Sequence, residues 1–283
     1  MMFKIYCFII LFTSITLSQT IDFQSPQNIK LFADFLFCDR DYLRAIDEYE
    51  MYLTMVDDDS VKFKIAIGFS NMDDQYNAYQ KLSLTKNSSP FFEQSKIEMV
   101  KALYLQNIDS SFYSSADILI NSESIYSNNA LRLKNASLLL TDNELPEQKI
   151  FLVPFHNDEE YTLFNFYNLK KNPPYKSEVW AGVLSTIIPG SGKIYTENYG
   201  DGITAFILTG LFGYLGYTNF KHDHQTRAWI FTAVGAGFYL GNIYGSVASA
   251  QIFNAKVNFD FDEGVKFYLE EKNYFAPVYD FCK

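Results

Sequence analysis

Charge is absent from two long stretches of this sequence. From Ile203 to Phe220, and again from Ala228 to Ala255, there is no Asp, Glu, Lys or Arg. Segments of that length without charge are candidate membrane helices rather than faces of a soluble domain. An excess of basic residues is also missing. Thirty-three acidic residues against 23 basic ones leave a net charge of −10, which excludes the basic footprint that nucleic-acid binding requires. Cysteine is scarce, with three in 283 residues. Cys7 lies in an apolar leader, so Cys38 and Cys282 remain, and two thiols make no disulfide framework. The expectation is a buried Cys38 and a free Cys282; the alternative is a bridge, if both face an oxidising compartment. Between residues 22 and 150 there is no Asn-Gly or Asp-Gly turn, and apolar residues recur at helical spacing. The chain is therefore expected to be all-α.

What is present begins with a leader. Lys4 supplies a positive start, Ile5–Leu11 an apolar run, and Thr16-Leu17-Ser18 small residues where a signal peptidase reads. Residues 1–18 are expected to be a signal peptide. The run is short for a span of roughly 20 residues, so an uncleaved anchor is the lesser reading.

Residues 22–142 read as paired helices. Phe32, Ala33, Leu36, Ala45 and Tyr49 alternate bulky and small side chains, as two closely packed helices require. A shift of 33 residues repeats the pattern with Ile65, Ala66, Phe69, Ala78 and Leu82, and Pro90 follows. These residues resemble the tetratricopeptide repeat. The resemblance implies stacked helical hairpins, with Ala45 and Ala78 at the helix crossings and a surface for a protein partner. Phe91–Ser122 forms a looser third unit around Ala102 and Ala116, and Ser127–Leu140 a capping helix. The pattern breaks over residues 143–177, where Pro146, Pro154, Pro173 and Pro174 mark a linker holding one short helix, Asp158–Leu169.

Residues 178–256 form the expected membrane hairpin. Val179–Ile188 is too short to cross, and Pro189-Gly190-Ser191-Gly192 interrupts it, so it reads as a re-entrant or interfacial helix, or alternatively as part of a broken crossing to Tyr195. Gly190-Ser191-Gly192-Lys193 is not a phosphate-binding loop. The Gly that such a loop requires five residues before its last Gly is Ile187, and the hydroxyl residue after its Lys is Ile194. The following apolar segments carry small residues four apart: Gly237, Gly241, Gly245 and Ser249 on one, Ala205, Thr209 and Gly213 on the other. Such stripes are expected to face each other, because close backbone approach holds helices together in lipid. Asn242 is expected to donate a hydrogen bond between helices. His222 and His224 could share a metal, but only Asp223 stands near as a further ligand, so no metal site is expected. Residues 257–283 read as a polar tail with a short helix, Asp260–Glu271.

The Pro-Gly-x-Gly-Lys-x-Tyr run, the Gly200-Asp201-Gly202 turn and the glycine-rich hairpin resemble uncharacterised bacterial membrane proteins with TM2-type hairpins. The order of signal peptide, repeats and hairpin leads to the expectation of a bacterial inner-membrane protein with its N-terminal domain exported to the periplasm. It would be a scaffold or assembly factor for envelope proteins, touching membrane lipid, binding no nucleic acid and no cofactor, and self-associating through its glycines. The alternative is a membrane enzyme or transporter acting on a lipid or small solute through His156, His222, His224, Asp201 and Lys193.

Overall fold

A computed structural model describes residues 24–156 and 158–282; the expected signal peptide lies outside the described residues. Every regular element among them is helical. The chain forms two compact units, residues 24–95 with 279–282, and residues 96–278.

The first unit opens with α1 (Pro26–Cys38) and α2 (Tyr42–Leu53), followed by α3 (Asp59–Asn71) and α4 (Gln75–Ser83). The turns between α1 and α2 and between α3 and α4 are the same turn, 33 residues apart. Arg40 and Asp73 each adopt a left-handed φ, 64° and 63°. Asp41 and Asp74 then cap the following helix, each side chain accepting from the backbone N–H three residues on. This pairing of a left-handed exit residue and an acidic cap ends one helix and starts the next within three residues. Ala33, Ala45, Ala66 and Ala78 are buried, as expected of crossing residues. Phe32, expected in the core, is 48% exposed, because the buried stripe of α1 runs through Ile29, Ala33 and Leu36 and leaves Phe32 beside it.

The sequence does not announce the polar centre of this unit. Asp34 accepts hydrogen bonds from Tyr49 Oη at 2.5 Å, Lys64 Nζ at 2.6 Å and Lys30 Nζ at 3.0 Å. Burial acts to raise the carboxyl pKa, but the donors from Lys64, Tyr49 and Lys30 outweigh it and hold the group below its usual value of 3.8. Burial, together with Asp34, pushes the Tyr49 phenol up, so it stays protonated and donating.

Cys38 and Cys282 are bonded, with Cα atoms 5.7 Å apart, which corrects the expectation of a buried Cys38 with a free Cys282 in favour of the alternative bridge. The bond closes a segment that is also packed. Tyr279 meets Phe63 edge-on at 5.0 Å, Phe281 meets Phe37 at 5.7 Å, and Lys64 Nζ lies 5.4 Å from the Phe281 ring centre. Partners 244 residues apart cannot be paired from spacing alone.

The second unit continues α5 (Phe92–Gln106) into α6 (Ser110–Ile120), α7 (Ser127–Ser137) with a 3₁₀ turn at Leu138–Leu140, α8 (Gln148–Leu152) and α9 (Asp158–Lys171). Residues 143–177 are therefore not a free linker. Phe151, Phe155, Leu163 and Tyr167 belong to the core formed with α5–α7, Tyr167 Oη donates to Pro146 O, and Asn135 Nδ2 donates to Phe151 O. The prolines punctuate short helices without releasing them from the core.

Then come α10 (Glu178–Ile187), α11 (Ser191–Tyr195), α12 (Tyr199–Lys221) and α13 (Gln225–Glu271). The α13 helix runs unbroken for 47 residues, roughly 70 Å at the usual rise. The boundary expected at residue 256 and the separate tail helix are thus corrected. Charge begins at Lys256, but the helix continues until Val265, Tyr268 and Leu269 enter the core of the second unit. Taken singly, no helix among the described residues is long and apolar enough to cross a membrane.

Candidate functional site

The second unit contains a polar seam built on α13. Asn254 grips the backbone of Lys176 twice: Lys176 N donates to its Oδ1 at 2.8 Å, and its Nδ2 donates to Lys176 O at 3.0 Å. From there Ser177 caps α10. The chain reverses at Pro189-Gly190, where Gly190 has φ +88°, and α11 folds back along α10. Ser177 N donates to Tyr195 Oη at 3.1 Å, so the end of α11 returns to the start of α10. This is a short helical hairpin and not one broken helix continuing to Tyr195.

The glycines of the Pro-Gly-x-Gly run serve this reversal. A Cβ on Gly192 would stand 1.9 Å from Ala181 O, and one on Gly190 2.0 Å from Gly202 O. The released backbone donors are met from α10 and α13. Gly190 N donates to Asn242 Oδ1 at 3.1 Å, and Gly192 N donates to Ser185 Oγ at 2.9 Å. The buried Ser185 and Ser246 hydroxyls lie 2.6 Å apart, as do those of Thr196 and Ser249. Such irregular backbone keeps its polar groups satisfied only because the facing helix supplies hydroxyls and an amide. Asn242 bonds across the seam, but as an acceptor through Oδ1 and not as the expected donor. The seam residues Asn242, Ser246 and Ser249 recur at spacings of four and three, a polar stripe on an apolar helix that could have been read from the sequence.

The glycine stripes are placed differently from expectation. The close approach of α12 and α13 is made by Gly216, whose Cβ position is 2.9 Å from Thr232 Oγ1, and by Gly235, 3.2 Å from Phe212 Cβ. Gly213, Gly237 and Gly241 have nothing within 4 Å of a Cβ position, so they do not hold the hairpin together. The Cβ position of Gly245 is 3.2 Å from Lys193 Cε, and Ser249 is buried in the seam.

Beside the seam, α11, α12 and α13 line a groove of about 580 Å³. Lys193, Asp201, Thr204 and Asn242 supply its polar groups, and Ala205, Leu208, Val234 and Phe238 its apolar walls, with Gly237 and Gly241 between them. Of the five candidate reactive residues, the groove brings Lys193 and Asp201 together. His156, His222 and His224 are exposed and line no part of it. Among the described residues no three His, Cys, Asp or Glu side chains gather as metal ligands. Compared with known protein families, curated proteins and solved structures, the chain matches none.

Proposed function

We propose that this chain is a membrane-anchored helical scaffold whose first unit stands in an exported, oxidising compartment and binds envelope proteins. The observation that carries this reading is the outer surface of the α12–α13 pair. Phe206, Ile207, Leu211, Tyr214, Trp229 and Leu240 are all exposed, and between Ile203 and Gly241 the buried positions are Gly216, Ala228 and Gly235. Two apolar helices with so little of their surface covered are unfavourable in water. Their mean hydropathy is lowered by uncharged Gly, Thr, Tyr and Asn, several of which face the partner helix. As a pair they present an apolar, uncharged rim to their surroundings, which suits lipid.

The disulfide supports the sidedness. Cys38 and Cys282 share a compartment, so an even number of crossings lies between them; α12 and α13 supply two, and the folded-back α10–α11 hairpin supplies none. The turn bearing Lys221 and Arg227 then lies in the cytoplasm, as the positive-inside rule favours. In the first unit, the 33-residue repeat of turn and cap supports a tetratricopeptide-like stack, and exposed Leu31, Phe32 and Phe35 on α1 offer an apolar face to a protein partner.

Alkaline extraction of membranes from cells making the full chain tests the anchor, and recovery of the chain in the soluble fraction overturns it. A photo-crosslinking residue at Leu31 or Phe35 tests the scaffold role. One envelope protein captured reproducibly from these positions, but not from exposed Lys266, is the expected result.

A further inference from the structure

The groove of Lys193, Asp201 and Asn242 borders the seam, which uses the Asn242 Oδ1 but leaves its Nδ2 unused, and the groove has no part in a scaffold role. Two of its polar groups, the Lys193 ammonium and the Asn242 Nδ2, are placed yet uncommitted. Among the described residues Lys193 makes no ion pair, and its arm lies against Gly245, where a larger residue would displace it. Asn242 is 3% exposed; its Oδ1 is taken by Gly190 N, and its Nδ2 has no acceptor. A buried donor without a partner is costly, and one beside an unpaired cation marks a place for an anion. Asp201 lines the same groove, its carboxylate held by Asn198 Nδ2 at 3.0 Å.

The groove also has a direction. Gly216 stands at Thr232 and Gly235 at Phe212, so the antiparallel register of α12 and α13 places Ala205 level with Asn242. Lys193, Asp201, Thr204 and Asn242 therefore collect at one end, while Leu208, Val234 and Phe238 continue towards the other. Gly237 and Gly241, which pack against nothing, leave a smooth channel between those walls.

We propose that this groove binds one phospholipid with a zwitterionic phosphate–ammonium head. The phosphate sits at Lys193 and the Asn242 amide, the ammonium at Asp201, and an acyl chain lies along Gly237 and Gly241 against Leu208, Val234 and Phe238. Charge of both signs at the polar end selects an amine-bearing head over a purely anionic one. The walls select a lipid over free phosphoethanolamine. The inference rests on the hairpin standing in lipid.

The test uses the full chain in mild detergent, exposed to vesicles of equal parts phosphatidylethanolamine, phosphatidylglycerol and phosphatidylcholine, with retained lipid read by native mass spectrometry. One zwitterionic lipid per chain, ethanolamine or choline, is expected, and retention of phosphatidylglycerol in its place overturns the proposal. Lys193→Gln should reduce its retention about tenfold, the cost of one lost charge-assisted contact. Asp201→Asn should abolish the preference over phosphatidylglycerol, and Gly241→Leu, which fills the channel and leaves the charges in place, should abolish retention. Retention unchanged in both Lys193→Gln and Gly241→Leu overturns the proposal, as does soluble phosphoethanolamine binding as tightly as the lipid. Alkaline extraction of the same variants separates the two readings. A chain that stays with the membrane but shows no lipid preference refutes the site alone, whereas a chain that leaves with the wash refutes the anchor.

Discussion

The reversal between α10 and α11 makes Gly192→Ala the most informative single substitution. The new methyl would begin 1.9 Å from Ala181 O and 2.7 Å from Ser185 Oγ, whereas ordinary contact starts at 3.4 Å. The neighbour at 1.9 Å is backbone inside a helix, so no side chain can rotate away. The α11 helix would have to retreat by roughly 1.5 Å, the difference between those two distances. Three hydrogen bonds depend on its position: Gly192 N to Ser185 Oγ, Ser185 to Ser246, and Gly190 N to Asn242 Oδ1. At about 1 kcal/mol each they amount to about 3 kcal/mol, and overpacking adds about 1–2 kcal/mol. The expected loss of about 4–5 kcal/mol corresponds to a fall in Tm of about 8–20 °C for a domain of this size. Thermal unfolding of the full chain in detergent, followed by near-ultraviolet circular dichroism, reads it. Gly210→Ala is the matched control. It lies inside α12 with nothing within 4 Å, so it should be neutral or gain up to ~1 kcal/mol from helix propensity. Equal effects of the two substitutions would refute the claim that these glycines exist for close packing.

Reduction of Cys38–Cys282, or Cys282→Ser, should destabilise the first unit by up to about 5 kcal/mol, as expected for opening a very long loop; denaturant melts with and without reductant measure it, with thiol alkylation reporting the bond. Because the folded Asp34 pKa lies below 3.8, its contribution to stability is complete above that pH and is lost as pH falls through the folded value. Acid titration of the first unit should therefore become shallower in Asp34→Asn, though not flat, since side-chain hydrogen bonds from Arg44, Lys62 and Ser89 likewise lower Asp41, Asp57 and Asp59 respectively. In the seam, Ser185→Ala and Ser246→Ala should each cost about 1–2 kcal/mol. The double variant should cost less than their sum, and a thermodynamic cycle that proves additive would remove the hydroxyl pair from the account.

The parts of the fold that depend on local spacing were legible. The burial of Ala45 and Ala78, the 33-residue shift, and the helical course over 127–140 all follow from side-chain size and period within one or two turns. What needed the tertiary structure concerned partners distant in sequence. Asp34 and Lys64 are 30 residues apart, each unremarkable on its own helix. The prolines at 146, 154, 173 and 174 correctly marked breaks, but breaks say nothing about burial, and the segments between them joined the core. The onset of charge at Lys256 suggested the end of a helix, yet backbone hydrogen bonds continue through a change from apolar to polar residues. For the Pro-Gly-x-Gly-Lys run, motif spacing could only eliminate the phosphate loop. The role of each glycine became visible once Ala181 O and Gly202 O were seen against it.

The unbroken course of α13 has a further consequence. One rigid rod carries the face bearing Asn242, Ser246 and Ser249 and the face bearing Val265, Tyr268 and Leu269. At 3.6 residues per turn, each residue advances the azimuth by about 100°. Inserting a single residue near Lys256 would swing one face by more than a quarter turn relative to the other, so the seam and the core could not both seat. Insertions of seven or eleven residues nearly restore the phase and change only the length. The helix therefore acts as a keyed shaft: its length is negotiable in whole-turn steps, and its angular setting is fixed.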